Sequence, residues 1–148
     1  MVANDDVFTV AGYRREADRF PGAASLGGIC TAIAAAQHGR VLVVGCDMPF
    51  LDVDLLSELI AMDGDAVVPR VDGFPEPLHA VYSKACLGPI EKRIKAGELK
   101  IRGFFSDVQV RYVDLDPGHP SFQNVNTPDL VKEAYWQPRR ESNPRRHP

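Results

Sequence analysis

The sequence predicts a three-layer α/β/α sandwich with a mostly parallel sheet, and three observations lead to this fold class. The first is the continuous apolar run of residues 40–46, which suits a strand covered on both faces. The second is a helical apolar pattern on each side of that run. The third is the composition of the 148 residues, 45% hydrophobic and 25% charged, which is ordinary for one globular domain. Helices before and after a buried strand are typical of α/β proteins.

The first half of the chain contains the order helix, buried strand, helix. Ser25 is suited to cap the first helix, and Gly39 is suited to end it. After the apolar strand, Asp52 is suited to cap a second helix. We expect that second helix to bury one apolar face, which consists of Val53, Leu56, Leu59 and Ile60.

The second half adds shorter strands and further helices. Strands are predicted at residues 66–69 and 78–82, with a turn at residues 71–74 between them. Ser83 is suited to cap the next helix, which tolerates Pro89 only in its first turns. The remaining predicted elements are a short helix at 101–106, a strand at 108–113 and a closing helix from Thr127.

The distribution of charge narrows the class of partner. Residues 137–148 hold four arginines and one glutamate, a net +3, so the overall −3 leaves −6 for residues 1–136. A net-acidic body argues against nucleic acid as a partner, because such binding needs a basic face. We therefore expect a domain at residues 1–136 and a disordered basic tail at 137–148. Anion binding by the tail is the less favoured alternative.

Cysteine usage and the absence of apolar segments indicate the compartment. The three cysteines form no Cys-x-x-Cys pair, so reduced thiols are expected. No apolar run approaches the roughly 18–20 residues that cross a bilayer, and the first six residues do not resemble a signal peptide. The sequence thus predicts a cytoplasmic location and no membrane partner.

Polar residues that follow strands are the first candidates for function, because open α/β sheets bind ligands beyond the carboxyl ends of their strands. Asp47 directly follows the most apolar strand of the sequence. A carboxylate in this place is suited to Mg²⁺, which takes one or two carboxylates together with substrate phosphates. The alternative role for Asp47 is to cap the following turn.

Two further segments are expected at the same edge of the sheet. Gly27 and Gly28 lie near a helix start, where backbone N–H groups can approach an anion, and close helix packing explains them equally well. A Walker loop is excluded, because its lysine and its Ser or Thr are missing. Glu76 and His79 place a carboxylate and an imidazole before a strand, although satisfied turn residues would also explain them.

A third segment contains Asn124 and Asn126 just before the closing helix. Two asparagines that are two positions apart in an extended segment face the same way. Because an amide side chain both donates and accepts hydrogen bonds, the pair suits a base edge, a pterin edge or a metal-bound water.

Four motifs in this order give the chain a resemblance to a known family. They are the segments at 26–29 (LGGI), 46–51 (CDMPFL), 74–82 (FPEPLHAVY) and 122–128 (FQNVNTP). In this arrangement the chain resembles the molybdenum cofactor guanylyltransferases, within the MobA-like nucleotidyltransferases. The resemblance implies a Rossmann-like fold, Mg²⁺ as cofactor, and transfer of GMP from GTP to Mo-molybdopterin with release of pyrophosphate. The product would be the guanine dinucleotide form of the cofactor.

The resemblance also implies a role for each matching residue. Asp47 would be the catalytic residue that holds Mg²⁺. The residues that would contact the nucleotide are Asn4, Asp18, Leu26, Gly27 and Gly28. Those that would line the pterin and metal side of the crevice are Glu76, Pro77, His79, Asn124 and Asn126. Molybdoenzymes or cofactor-biosynthesis proteins are further expected partners.

The chain departs from the family pattern at its start. Family members begin with a strand and a Leu-Ala-Gly-Gly loop, followed by an Arg-Met-Gly stretch and a lysine that cradle the triphosphate. No such segment precedes Val2, so we expect an N-terminal βαβ unit to be missing and turnover to be low or absent. In addition, Ala24 and Ser25 stand where the family has Gly-Pro.

A guanylyltransferase truncated at its start is the favoured hypothesis for this departure. One alternative is a non-catalytic remnant that binds molybdenum cofactor or a partner protein. Within the enzyme class, the alternatives are a related cytidylyltransferase and another nucleotidyltransferase.

Overall fold

The computed structural model describes Val2, residues 15–48 and residues 50–122. The helices within these ranges are α1 (Ala24–Ala35), α2 (Val53–Ala61) and α3 (Leu87–Lys95), and the strands are β1 (Arg40–Val44), β2 (Ala66–Val71), β3 (Phe74–Pro75), β4 (His79–Ser83) and β5 (Val110–Leu115). Short 3₁₀ turns cover Lys84–Cys86, Ile101–Asp107 and Pro120–Phe122. The predicted closing helix, the predicted basic tail and the candidate residues Asn4, Asn124 and Asn126 lie outside the described residues.

The strands form one sheet in which β4 lies between β1 and β2, while β3 and β5 also pair with β2. The α/β class is confirmed, but the expected mostly parallel pairing is corrected: among the pairs formed by strands β1–β5, only β2 and β5 run parallel. Strand β4 runs opposite to β1, β2 and β5 because a tight turn at Asp72 and Gly73 and a short β3 connect it to β2. Such a short connection reverses the chain, whereas a parallel crossover needs a dozen or more residues.

Side chains alternate between the two faces of the sheet and form two apolar clusters. The larger cluster lies under α1 and α3, and it takes Val68 of β2 together with Ala80 and Tyr82 of β4. The smaller cluster lies under α2, and it takes Val67 and Val81, the intervening residues of the same strands. This alternation produces the three layers that the sequence predicts. No helix among the described residues is long and apolar enough to cross a membrane.

Two predictions about helices need correction. Ala23, and not Ser25, is the N-cap of α1, and it makes no side-chain capping bond. Asp52 caps α2 as predicted, because its side chain accepts hydrogen bonds from the backbone of the first turn. The buried face of α2 is Leu55 and Leu59, whereas Val53 and Ile60 are 71% and 52% exposed. Contact with the sheet therefore selects a face rotated from the one that the apolar pattern suggests.

Candidate functional site

The common direction of three strands creates one edge where polar segments meet. Strands β1, β2 and β5 run the same way, so their carboxyl ends share this edge. Strand β4 starts here, because His79 pairs with Val44 at the end of β1. The edge therefore brings together residues 45–48, 50–52, 76–79 and 116–122, as expected for a ligand site in an α/β sheet.

Asp47 lies at this edge with an exposed side chain. Its carboxylate lies over Gly45, where an added Cβ would come within 2.7 Å of Asp47 Oδ1. The Gly45 N–H donates to Leu78 O at 2.7 Å and so fixes the end of β1 against the segment that precedes β4. Within the described ranges the Asp47 carboxylate has no hydrogen bond or ion pair.

His79 is fully buried at the start of β4. Its ring packs against Phe122 with 4.8 Å between ring centroids, and neither ring nitrogen finds a hydrogen-bond partner among the described residues. Burial lowers the pKa of His79, and the nearby His119 lowers it further, so the imidazole is held neutral. An unpartnered buried imidazole costs stability, which makes a purely structural role an incomplete account of His79.

Glu76 is half-buried in the turn before β4. Its backbone is fixed at both ends, because its N–H donates to Pro69 O at 2.8 Å and its carbonyl accepts from His79 N at 3.1 Å. Burial raises the pKa of the Glu76 carboxyl. Pro77 has a structural part, since its carbonyl accepts a 2.7 Å hydrogen bond from the buried Tyr82 hydroxyl.

Sequence reasoning missed His119 at this edge, and it assigned Asp52 only a capping role. His119 Nε2 lies 3.8 Å from Asp52 Oδ2, while His119 Nδ1 accepts a hydrogen bond from the Ser121 N–H at 3.3 Å. The His119 ring thus has Nε2 on the side of the Asp52 carboxylate and Nδ1 on the side of the Ser121 backbone. The signal was present in the sequence, because His119 follows strand β5 just as Asp47 follows β1.

Some residues around the start of α1 are buried by packing, whereas Gly28 lines an open groove. Leu26 and Gly27 are buried, and the Gly27 N–H already donates to Ala23 O at 3.2 Å, so close packing explains Gly27. Asp18 Oδ1 accepts from Phe20 N and Thr31 Oγ1, both at 3.0 Å, and this ties the preceding loop to α1. Gly28 differs from Gly27, because it lines an open groove and an added Cβ would meet no atom within 4 Å.

That groove, about 750 Å³ in volume, runs between α1 and the side of β1 that faces away from β4. One end reaches Cys46 and Leu78, next to Asp47. The part of the chain that the structure describes contains no group of three or more His, Cys, Asp or Glu side chains that could hold a metal ion by themselves.

Comparison with known proteins agrees with this architecture. Residues 1–112 match the family model described as the MobA-like NTP transferase domain. A protein of Pelotomaculum thermopropionicum named probable molybdenum cofactor guanylyltransferase is 38% identical over 130 residues, which cover 82% of this chain and 63% of that protein. A protein of Carboxydothermus hydrogenoformans with the same name is 32% identical over 136 residues, which cover 86% of this chain and 69% of that protein.

A solved structure gives the same result. The molybdopterin-guanine dinucleotide biosynthesis protein A of Archaeoglobus fulgidus superposes with a TM-score of 0.68 at 32% identity, over 81% of this chain and 65% of that one. The chain thus spans somewhat less than two thirds of the length of the first relatives that it matches, at 62–63%.

Proposed function

Because the chain belongs to the MobA-like NTP transferase family, we propose that it serves the transfer of GMP from GTP to molybdopterin cofactor. The observation that carries this proposal is the exposed carboxylate of Asp47 at the carboxyl end of β1, without a partner among the described residues. Two relatives that cover most of this chain are named for guanylyl transfer to this cofactor, which supports the choice of nucleotide and acceptor. A cytoplasmic location and molybdoenzyme or biosynthetic partner proteins belong to the same proposal.

The reaction needs no nucleophile from the protein. An oxygen of the acceptor phosphate forms a bond to the α-phosphorus of GTP, and the bond from that phosphorus to the oxygen of the leaving pyrophosphate breaks. The acceptor phosphate is already ionised, so no general base is required. The protein contributes by orienting the two substrates and by neutralising charge.

Asp47 fits a magnesium ion by its chemistry. Mg²⁺ prefers oxygen ligands and usually takes one or two carboxylates together with substrate phosphates and water. A single exposed carboxylate at a strand end meets this requirement, and the described residues show no larger ligand cluster that would favour a protein-enclosed metal. The bound ion would supply neutralisation of the triphosphate charge.

The acceptor side of the proposal rests on Glu76 and His79. Both groups have pKa values that burial shifts away from their ordinary range, and Glu76 shows no other cause. Groups that a fold keeps at a cost to stability are typical of binding sites. We assign Pro77, Asn124 and Asn126 to the same side of the crevice.

The nucleotide side of the proposal comprises Asn4, Asp18 and the segment at 26–28. Within it, the buried Leu26 and Gly27 and the hydrogen-bonded Asp18 shape the start of α1. Among the described members of this set, Gly28 is the one that lines the groove. The assignment of these residues to the nucleotide, like that of the acceptor-side residues, is inferred from the motif match.

Substitution of Asp47 tests the proposal directly. Calorimetric titration of the full chain with Mg²⁺ and GTP is expected to show binding that Asp47→Asn weakens at least tenfold, because the amide removes the charge that faces the cation. Asp54→Asn is the matched control, since Asp54 is an exposed acid nearby in the first turn of α2, and we expect a change of less than twofold. Equal binding by the Asp47 variant would contradict the metal assignment.

The choice of nucleotide and acceptor needs a second measurement. Because turnover of this chain is expected to be low or absent, binding is measured in place of products: calorimetric titration with GTP, CTP and molybdopterin cofactor is expected to show binding of the cofactor and tighter binding of GTP than of CTP. A preference for CTP would favour the cytidylyltransferase alternative. Binding of the cofactor with no binding of either nucleotide would favour the non-catalytic alternative.

A further inference from the structure

The segment at 116–122, which follows β5, has no role yet in the proposed function. Its backbone turns sharply, because Gly118 has a φ of +80° and the His119 N–H donates to Asp116 O at 3.3 Å. The segment then ends in the three-residue 3₁₀ turn Pro120–Phe122. Because so short a turn is not stable by itself, contacts with the rest of the chain must fix its position.

His119 connects this segment to the N-terminus of α2. Its Nε2 lies 3.8 Å from Asp52 Oδ2, a distance too long for a hydrogen bond, so this contact is electrostatic. Its Nδ1 accepts a hydrogen bond from the Ser121 N–H at 3.3 Å, which fixes the ring against its own turn. The ring of His119 therefore spans the distance between the segment and α2.

Asp52 is already held in place by the helix that it caps. Its Oδ1 accepts hydrogen bonds from Asp54 N at 2.9 Å and from Leu55 N at 3.2 Å. Side chains of exposed ion pairs normally lose conformational freedom when they meet, and this loss reduces their benefit. Because capping fixes the Asp52 carboxylate beforehand, Oδ2 can face His119 with little further loss.

Phe122 extends these contacts to His79. Its ring centroid lies 4.8 Å from that of His79 and 5.8 Å from that of His119. His119 also contributes to the lowered pKa of His79, which places the two imidazoles in one group. A continuous row thus leads from the N-terminus of α2 to the start of β4, and it consists of Asp52, His119, Phe122 and His79.

Unpartnered polar atoms lie at the inner end of this row. His79 and Ser121 are both fully buried, and neither the ring nitrogens of His79 nor the Ser121 hydroxyl has a hydrogen-bond partner among the described residues. Buried polar groups normally have such partners, and leaving them without one costs stability. A polar group that enters from the site would complete them, which points to a ligand on this side of the edge.

We propose that His119 is a positioning residue for the acceptor: its contact with Asp52 holds the segment at 116–122 in place and keeps Phe122 against His79. The inference rests on the proposed function for the identity of the acceptor, whereas the row of contacts is a property of the free chain. Because the row lies on the acceptor side, its loss should weaken binding of molybdopterin cofactor and spare binding of Mg²⁺ and GTP.

Proton NMR of the free full chain tests the row of contacts. The ring current of Phe122 shifts the Cε1–H resonance of His79, so this resonance reports their contact. We expect His119→Leu to move the resonance toward its value in the unfolded chain. Asp52→Asn should move it in the same direction, because asparagine still caps α2 but removes the charge. His38→Leu is the matched control, since His38 is exposed, and it should leave the resonance unchanged.

A conservative variant separates positioning from simple packing. His119→Gln keeps a nitrogen donor near the place of Nε2 and is expected to retain the wild-type resonance of His79. In a chain that combines His119→Leu with Asp52→Asn, we expect the resonance to move no further than in His119→Leu alone, because the two substitutions remove the same contact.

Calorimetric titration then tests the link to the acceptor. We expect His119→Leu to weaken binding of molybdopterin cofactor about three- to tenfold, the size of effect expected from loss of an ion pair and a ring contact. Binding of Mg²⁺ and GTP should change less than twofold. His119→Gln and His38→Leu are expected to bind the cofactor like the wild type.

The outcomes distinguish this inference from the proposed function. An unchanged His79 resonance in His119→Leu or in Asp52→Asn overturns the inference, and so does a loss in His119→Gln as large as in His119→Leu. Unchanged cofactor binding, or equal losses of cofactor and GTP, also overturns it. If the wild-type chain binds no cofactor, the proposed function fails and the acceptor role of His119 fails with it, while the NMR result still decides whether His119 holds Phe122 against His79.

Discussion

Neighbouring glycines of α1 differ sharply at the scale of single residues. A Cβ on Gly27 would lie 3.0 Å from Asp18 Oδ2, 3.0 Å from Phe20 O and 3.1 Å from the Ala23 Cβ. A Cβ on Gly28 would meet no atom within 4 Å. Gly27 is therefore required by packing of the loop on α1, whereas the fold itself does not require Gly28.

Alanine substitutions at these two positions should change stability in opposite directions. Gly27→Ala is expected to lower the free energy of unfolding by about 1–3 kcal/mol, because a backbone carbonyl must move. Gly28→Ala is expected to raise it by roughly 0.5–1 kcal/mol, because alanine favours the helix over glycine. Urea unfolding of both variants measures this. If Gly28→Ala also weakens binding of Mg²⁺ and GTP, Gly28 approaches the nucleotide as proposed.

His79 makes the stability of the chain depend on pH below about 6.5. Its pKa in the folded chain lies below the ordinary 6.5, mainly because of burial, so unfolding takes up a proton when the pH falls below that value. Above about pH 6.5 His79 adds no pH dependence to stability, and as the pH falls from 6.5 toward the folded pKa this proton uptake lowers the free energy of unfolding. Around the ring, the charged or titratable neighbours are His119 and, beyond it, Asp52.

Replacement of His79 by phenylalanine should remove this pH dependence of stability. We expect His79→Phe to unfold at nearly the same temperature as the wild type at about pH 8, and to lose less stability than the wild type between pH 6.5 and pH 5. Thermal unfolding of both proteins across this range measures the difference. Parallel pH profiles would mean that His79 is not the group that titrates.

At the scale of elements, the C-terminal end of α1 is held by a side chain from a distant part of the chain. Lys84 Nζ donates to the carbonyls of Ile33, Ala34 and Ala36, the last at 2.8 Å. These are carbonyls that the end of a helix leaves without a partner within the helix. A lysine near the start of α3 thus takes the place that Gly39 was expected to take in ending α1.

Removal of this ammonium group should destabilise the chain through α1. Lys84→Met keeps most of the apolar stem and is expected to cost about 1–2 kcal/mol, because several carbonyls lose a charged donor. Lys100→Met, at an exposed position, serves as the control with little expected change. Urea unfolding followed by circular dichroism measures both. An equal effect of the two substitutions would show that loss of positive charge alone matters.

Element boundaries could largely be predicted, but the faces and the ends of helices could not. The capping of α2 by Asp52 follows from local hydrogen bonding, which the sequence encodes directly. Ser25 was wrongly predicted as the cap of α1, because the chain enters that helix through Ala24 at a positive φ of 50°. This entry into α1 depends on packing of the loop at 18–23 against Gly27, and the capping pattern of the sequence does not reveal such packing.

At the scale of the whole molecule, the two faces of the sheet are unequally covered. Two helices together with Phe104 and Phe105 pack on one face, while among the described residues α2 and Phe122 cover the other. Only Leu55 and Leu59 of α2 are buried. The α2 layer is therefore held by fewer apolar contacts, and it borders the candidate site through Asp52.

This asymmetry predicts that α2 opens before the rest of the molecule. In native-state hydrogen exchange, amides of α2 should exchange through a partial opening of lower free energy than amides of α1. Leu59→Ala is expected to lower protection in α2 more than in α1, and to cost about 2–5 kcal/mol overall. Uniform loss of protection in both helices would instead indicate that the two layers unfold as one unit.

The sequence by itself determined the α/β class, the order of the elements and Asp47 as the residue at the end of the central apolar strand, because these follow from local periodicity and turn chemistry. It also carried the ordered motifs that relate the chain to its family. Only the tertiary structure decided the reversed β4, the burial of His79, the contact of His119 with Asp52 and the groove between α1 and β1. Each of these depends on which segments meet across the sheet, and that is set by packing between residues far apart in the chain.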